Sequence, residues 1–191
     1  VLERVLYNGF LSGVSLSGDL FFYPNPLQSF GQHKRSAWFA CACCPSNITR
    51  FIPSIPGYVY AIQDDAVFVN LFVESRAGVE LKGQEVTIRQ QTRYPWEGEV
   101  KIFVEPKKAK EFSVHLRIPG WSRNQPVPSD LYRYSDAKQE EVAFNVNGEQ
   151  IPLNVEKGYA LLRRTWNPGD VIGINFPMPV RRVLSHPAVK D

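Results

Sequence analysis

The stretch WFACACCPSNITRF, residues 38–51, holds all three cysteines of this 191-residue chain. Apolar residues recur at helical spacing from Ile48 onward, which predicts a helix that starts here. Pro45 suits the first helical position, because the amide that proline lacks has no intrahelical partner there. Cys43 and Cys44 are therefore expected at the positive end of the helix dipole, where the thiolate is favoured. Three polar side chains are expected to bond the free amides of the first turn: Ser46, Asn47 and Thr49.

The cysteines also have a plain structural interpretation, because Cys is a small and often buried hydrophobe. A disulfide framework within the chain is excluded, since adjacent cysteines do not pair normally and no distant cysteine exists. A structural zinc site needs four ligands, usually as two spaced pairs. The cluster is half of such a site, and the three histidines, His33, His115 and His186, are scattered.

Three blocks of the sequence resemble glycoside hydrolase family 127, the β-L-arabinofuranosidases that were long catalogued as a domain of unknown function. The blocks are VLERVLYN at 1–8, FFYPNPL at 21–27 and WFACACCPSN at 38–47, in the family's order. The resemblance is close over the N-terminal third of the chain and looser over the remainder.

The resemblance implies specific roles for four residues. It makes Cys43 the nucleophile, in place of the second carboxylate of most retaining glycosidases. Cys44 becomes a ligand of a Zn²⁺ cofactor that Cys43 shares, and a coordinating thiol is deprotonated. Glu3 and Tyr23 become pocket residues that contact an arabinose-containing oligosaccharide or glycan. Cys41 lies outside the family's functional set and is expected to pack.

The resemblance also shows what is missing from these residues. The family's general acid/base glutamate and a Glu-x-Cys pair of zinc ligands lie upstream of its first block, and no Glu-x-Cys occurs here. The chain is thus expected to be the C-terminal portion of a larger enzyme and to be inactive alone, since the leaving oxygen needs a proton donor.

From residue 58 onward, short alternating runs separated by Gly, Pro, Asn and Asp predict an antiparallel β-sandwich. Asn147-Gly148 predicts a two-residue hairpin turn. Nine strands are predicted: Tyr58–Ile62, Ala66–Val73, Val79–Leu81, Glu85–Arg89, Val100–Val104, Phe112–Ile118, Val142–Val146, Tyr159–Arg163 and Val171–Phe176.

Before the sandwich, Leu2, Leu6, Phe10 and Val14 stand four apart and predict a helix over residues 1–16. A short strand, Leu20–Tyr23, and a Pro56-Gly57 turn are predicted next. The fold class is therefore mainly β. Residues 1–57 are a helical segment carrying the cysteine motif, and residues 58–191 are the sandwich. The resemblance makes the helical segment the end of an (α/α)6-barrel catalytic domain and predicts further strands after residue 191.

Composition excludes some classes of function. A net charge of +3 with scattered basic residues argues against nucleic-acid binding. No apolar run approaches the roughly 18 residues of a membrane span. The compartment stays open. An apolar face left uncovered by the rest of the catalytic domain is expected to favour homo-oligomers.

Several candidate residues also have ordinary structural interpretations. Glu3 suits the first turn of any helix, and Tyr23 suits a core. His33 is expected to be an exposed loop residue, and His115 is expected on the solvent face of its strand. A noncatalytic carbohydrate-binding sandwich is the alternative function. It would stack sugars on three tryptophans near turns: Trp96, Trp121 and Trp166. A thiol-redox or metal-storage role is the least favoured interpretation.

Overall fold

The computed structural model describes residues 1–24, 26, 28–136, 138 and 140–189. Two compact units divide the chain, Val1–Tyr58 and Val59–Asp191. Most of the helical structure lies in the first unit, and the sheets lie in the second. Within the described ranges, no helix has the length and apolar character needed to cross a membrane.

The chain begins with three short helical segments rather than one helix. Helix α1, Leu2–Arg4, continues as a π-helical segment, Val5–Phe10, and a 3₁₀ turn, Leu11–Gly13. The prediction of a single helix over 1–16 is therefore wrong at its C-terminal end, where Val14 is already extended. Glycines at positions 9 and 13 disfavour a regular α-helix there.

The segment between the first helical turns and the cysteine motif has little regular structure. Phe21 forms isolated bridges with Val14 and Ser36, so the predicted strand Leu20–Tyr23 is reduced to one bridging residue. The prolines that follow it, Pro24 and Pro26, lack the donors that a ladder needs.

The first unit ends in a run of helical segments. Helix α2 spans Cys43–Phe51, a 3₁₀ turn spans Ile52–Ser54, and helix α3 spans Pro56–Val59. A simple Pro56-Gly57 turn is therefore wrong, because these residues begin a helical turn. The ring of Phe51 lies 4.5 Å from that of Phe10, which packs α2 against the π-helical segment.

The described residues of the second unit form thirteen strands: β1 Tyr60–Gln63, β2 Ala66–Val69, β3 Ser75–Leu81, β4 Gln84–Thr92, β5 Glu99–Pro106, β6 Lys110–Arg117, β7 Tyr132–Tyr134, β8 Ala143–Val146, β9 Glu149–Gln150, β10 Val155–Glu156, β11 Tyr159–Trp166, β12 Asp170–Asn175 and β13 Val183–Ser185. Nine of them overlap the predicted strands. The four that sequence patterns missed, β7, β9, β10 and β13, have two or three residues each, too few for alternation to show.

Two sheets form the sandwich. The five-stranded sheet has the order β1-β2-β6-β11-β10, and the six-stranded sheet has the order β3-β4-β5-β12-β8-β9. Every pair is antiparallel except β2 with β6. Asn147 and Gly148 have positive φ angles of 54° and 83° between β8 and β9, as the predicted hairpin requires. Strands β13 and β7 form a separate ribbon. The predicted mainly β, antiparallel class is confirmed.

Alternation along the strands builds the core between the two sheets. On β6, Phe112, Val114 and Leu116 are fully buried and face inward. Gln90 of β4 donates to the hydroxyl of Tyr60 on β1, which joins the two sheets at one edge. Gly98 is held against the backbone of Phe176, where a Cβ atom would overlap the carbonyl. Such close approach admits only glycine.

Candidate active site

Helix α2 begins at Cys43, so Cys43 and Cys44 are its first two residues. Pro45 is the third residue, two positions later than the sequence predicted. An amide N–H at that position would still have no intrahelical partner, so the proline costs the helix no hydrogen bond. The free amides of this first turn favour a negative charge, including a thiolate.

The prediction that Ser46, Asn47 and Thr49 cap the first-turn amides is wrong, because these side chains donate to backbone carbonyls instead. Ser46 Oγ donates to the carbonyls of Ala42 and Cys43, at 2.8 and 3.1 Å, and Asn47 Nδ2 donates to the carbonyl of Cys43 at 2.8 Å. Thr49 Oγ1 likewise donates to carbonyls one turn earlier. These side chains bond back along the helix because a hydroxyl or amide inside a helix reaches the preceding turn's carbonyls. They do not reach the first-turn amides.

Tyr23 lies beside the cysteine pair, although twenty residues separate it from Cys43. The thiol of Cys43 donates to the Tyr23 hydroxyl at 3.8 Å. The ring of Phe39, from the motif itself, lies 5.4 Å from that of Tyr23 and supports it. Tyr23 is not the core aromatic of its ordinary interpretation, since its side chain is 46% exposed.

The contacts around Cys43 shift the pKa values of three groups: the thiols of Cys43 and Cys44 and the hydroxyl of Tyr23. The hydrogen bond with Tyr23, followed by that with Cys44, lowers the pKa of Cys43. Loss of hydration, followed by the bond with Cys43, raises the pKa of Cys44. The same bond to Cys43 raises the pKa of Tyr23 to about 12. As pH rises, Cys43 is therefore the first of the three to ionise, and Tyr23 keeps its proton and donates to the thiolate.

The sulfur atoms of Cys43 and Cys44 lie 3.8 Å apart. Two thiolates at about 2.3 Å from one tetrahedral zinc ion would also stand about 3.8 Å apart. The pair therefore fits two positions of a tetrahedral site. Within the described ranges, no group of three metal-ligating side chains comes together. A complete zinc site that includes Cys43 and Cys44 therefore needs further ligands from outside the described residues.

Cys41 is exposed, and the expectation that it packs is wrong. All three thiols are free. Cys41 and Cys44 have the three-residue spacing of a Cys-x-x-Cys pair, so spacing alone does not dismiss a thiol-redox role. The expectation for Cys41 came from its place outside the family's functional set, whereas its exposure depends on the loop before α2.

Glu3, the fourth candidate, lies in α1 and is half-buried. Aromatic and cationic side chains brace the loop that carries Tyr23. The ring of Phe22 stacks on His33 at 4.3 Å and lies under the guanidinium of Arg35 at 4.2 Å. His33 also bonds the carbonyl of Pro24 at 3.0 Å. His33 is therefore half-buried rather than exposed as predicted, because its ring covers Phe22.

The tryptophans of the alternative function have three different environments. Trp166 is fully buried, and its indole N–H donates to the carbonyl of Phe112 at 3.0 Å. Trp121 is half-buried against Phe176. Trp96 alone of the three is open, with 82% of its side chain exposed. A three-tryptophan platform for sugars is therefore absent.

A helix that begins with a cysteine pair, in one chain with a β-sandwich, is the arrangement that the family resemblance predicts. Residues 1–57 match the catalytic domain of GH127 β-L-arabinofuranosidases, and residues 66–178 match the GH127 middle domain. The second match covers more than half of the chain. The chain therefore belongs to glycoside hydrolase family 127, which confirms the resemblance.

Individual relatives carry the same description. Over 209 residues the chain is 32% identical to the non-reducing end β-L-arabinofuranosidase of Bifidobacterium longum subsp. longum. A solved GH127 β-arabinofuranosidase is 45% identical, with a TM-score of 0.92. The GH127 β-L-arabinofuranosidase of Geobacillus stearothermophilus T6 is 41% identical, with a TM-score of 0.83.

The matches cover almost all of this chain but little of each relative. All of the chain matches the Bifidobacterium protein, and 97% of it matches each of the two structures. The chain spans 29% of the length of each of the three relatives. Its residues are thus a portion of what a family member contains.

Proposed function

We propose that a full-length protein containing these residues is a retaining glycoside hydrolase that releases β-L-arabinofuranosyl groups, with Cys43 as nucleophile. The observation that carries the proposal is the position of the Cys43 thiol. It is exposed at the first residue of α2, beside the hydroxyl of Tyr23 and the thiol of Cys44. The names of the relatives supply the substrate class.

The proposed reaction has two displacements. In the first, the Cys43 sulfur bonds the anomeric carbon while the glycosidic C–O bond breaks, and the leaving oxygen takes the bonding electrons and a proton from a carboxylic acid. In the second, water attacks the same carbon and gives a proton to the carboxylate. The C–S bond breaks and the thiolate returns. Two inversions retain the configuration of the sugar.

Tyr23 and Glu3 complete the proposed site. The Tyr23 hydroxyl is proposed to donate to the Cys43 thiolate, which keeps the charge on sulfur until the bond to carbon forms, and its exposed ring is proposed to contact the sugar. Glu3 is proposed as a sugar contact, on the family pattern alone. The position of Tyr23 has direct support in its contact with Cys43.

We also propose that Cys43 and Cys44 bind a zinc ion together with further ligands from outside the described residues. The 3.8 Å between their sulfur atoms supports this. Bound zinc would keep both thiols deprotonated. Residues 1–191 alone are proposed to be inactive, since the family's acid/base glutamate is not among them.

The test compares Cys43→Ala with Cys41→Ala in the full-length protein, using an aryl β-L-arabinofuranoside. Loss of the nucleophile is expected to lower kcat by at least about 10³-fold, whereas Cys41→Ala is expected to stay within about threefold of wild type, since Cys41 takes no part in either displacement. Zinc content is measured on these variants and on Cys44→Ala, in which it is expected to fall. Wild-type turnover by Cys43→Ala would overturn the nucleophile assignment.

A second candidate function rests on Trp96. Its open ring suits stacking on a sugar, as a carbohydrate-binding module would use it. This candidate predicts glycan affinity that survives Cys43→Ala and falls in Trp96→Ala. Unchanged affinity in Trp96→Ala would remove it.

A further inference from the structure

The carbonyl of Cys43 accepts two side-chain hydrogen bonds besides its place in α2. Asn47 Nδ2 donates to it at 2.8 Å, and Ser46 Oγ donates at 3.1 Å. We propose that Asn47 is a positioning residue, which holds the peptide of Cys43 so that the sulfur points at the anomeric carbon. The proposal rests on the proposed function, in which Cys43 is the nucleophile.

The first residue of a helix is held less firmly than the residues that follow. Its amide has no intrahelical partner, so its carbonyl is its one tether to the helix. No side chain caps the start of α2 at Ala42. The direction of the Cα–Cβ bond of Cys43, and so the position of its sulfur, depends on the rotation of a peptide that is anchored through this carbonyl.

Asn47 is better placed than Ser46 to act as this anchor. Ser46 divides its hydroxyl between two carbonyls and lies closer to that of Ala42, at 2.8 Å. The amide of Asn47 donates to the carbonyl of Cys43 at the shorter distance of the two. Asn47 also lies one turn along the helix on the same face as Cys43.

Packing does not explain an asparagine at this position. Asn47 is exposed, and asparagine is among the weaker helix formers, so alanine would favour the helix more at this position. The contact that distinguishes Asn47 from an exposed alanine is its bond to the nucleophile's own carbonyl. A bond that aims a reacting atom acts on turnover rather than on the affinity for substrate.

The experiment uses the full-length protein and measures kcat, KM and zinc content. Asn47→Ala is expected to lower kcat about tenfold, with KM and zinc content unchanged. Asn47→Ser is expected to restore most of the rate, because a serine reaches the carbonyl four residues back, as Ser46 does with Ala42. Asn47→Asp has nearly the same side-chain volume but no N–H donor, so its kcat is expected to be as low as that of Asn47→Ala.

Thr49→Ala is the matched control. It removes the same kind of back-bond, to the carbonyls of Pro45 and Ser46 rather than of a cysteine, and its kcat is expected to stay within twofold of wild type. Equal kcat values for Asn47→Ala and Thr49→Ala would overturn the proposal, as would a loss in Asn47→Ala that appears mainly in KM.

Two further results keep the inference separate from the function on which it rests. If Asn47→Ala does not fold, the comparison of Asn47→Ser with Asn47→Asp decides, and equal rates would refute the anchor. If Cys43→Ala is inactive while Asn47→Ala turns over like wild type, only the positioning role fails. If Cys43→Ala is active, the nucleophile assignment fails, and the positioning role fails with it.

Discussion

Residues 1–58 and residues 59–191 differ most in what they bury. Of the described residues in the first unit, the buried apolar side chains are Leu6, Phe21, Pro45 and Ile48. In the second unit, both sheets are lined with buried Val, Ile, Leu and Phe, many with no exposed surface at all. The first unit contains the cysteine pair and Tyr23, yet it leaves large apolar side chains such as Phe30 and Trp38 mostly exposed, at 87% and 65%.

The contrast shows that the proposed chemistry and the stability of the chain reside in different units. Burial of apolar surface must offset the loss of conformational entropy on folding. The sandwich meets that condition with its own residues. The first unit has the groups that we propose for nucleophilic attack, but it has little buried surface of its own to hold them.

The largest expected effect comes from separating the units. Residues 59–191 alone are expected to unfold in one cooperative transition, whereas residues 1–58 alone are expected to show none, because four buried apolar side chains are too few to form a core. Thermal unfolding followed by circular dichroism checks both pieces. A cooperative transition in residues 1–58 would contradict the contrast.

Within the sandwich, two tryptophans test whether burial accounts for stability. Trp166→Phe is expected to lower the free energy of unfolding by about 2 kcal/mol, because it removes buried contacts and the indole N–H that donates to the carbonyl of Phe112. Trp96→Phe, the matched control at an open site, is expected to change it by less than about 0.5 kcal/mol. Urea unfolding measures both changes in the free energy of unfolding. Equal changes would refute the view that burial of the tryptophan accounts for its contribution to stability.

Within the first unit, the two thiols of α2 are expected to react at different rates. With metal removed at pH 7, iodoacetamide is expected to alkylate Cys43 several-fold faster than Cys44, because the bond with Tyr23 lowers the pKa of Cys43 while burial raises that of Cys44. Peptide mass spectrometry gives both rates. Tyr23→Phe is expected to slow the reaction of Cys43, and an unchanged rate would show that the hydroxyl has no such influence.

The smallest expected effect concerns His115 on the outer face of the sandwich. Burial against Phe68, with ring centroids 4.2 Å apart, lowers the pKa of His115 below 6.5. The folded state then binds fewer protons than the unfolded state, so the free energy of unfolding falls as pH drops through 6.5 towards the folded value. Urea unfolding at pH 7 and pH 5 is expected to show a smaller loss for His115→Gln than for wild type. An identical loss in both proteins would show that His115 does not contribute to the pH dependence of the free energy of unfolding.

The position of His115 also shows where sequence patterns end. Alternation along β6 correctly assigned His115 to the outward side, since neighbouring residues decide that face. The same pattern implied a solvated ring, which is wrong, because parallel pairing brings Phe68 of β2 beside it. Which residue stands across a ladder depends on the order of strands in the sheet.

The sequence by itself determined the nine strands of four or more residues, the Asn147-Gly148 hairpin and the start of a helix at the cysteine motif. Each of these depends on residues adjacent in the chain, through alternation, turn conformation and proline. Only the tertiary structure decided that Tyr23 meets Cys43, that Ser46 and Asn47 bond back to carbonyls, and that Trp166 is buried while Trp96 is open. Those outcomes depend on contacts between distant residues or on the geometry of a formed helix, and neither can be derived from the order of residues alone.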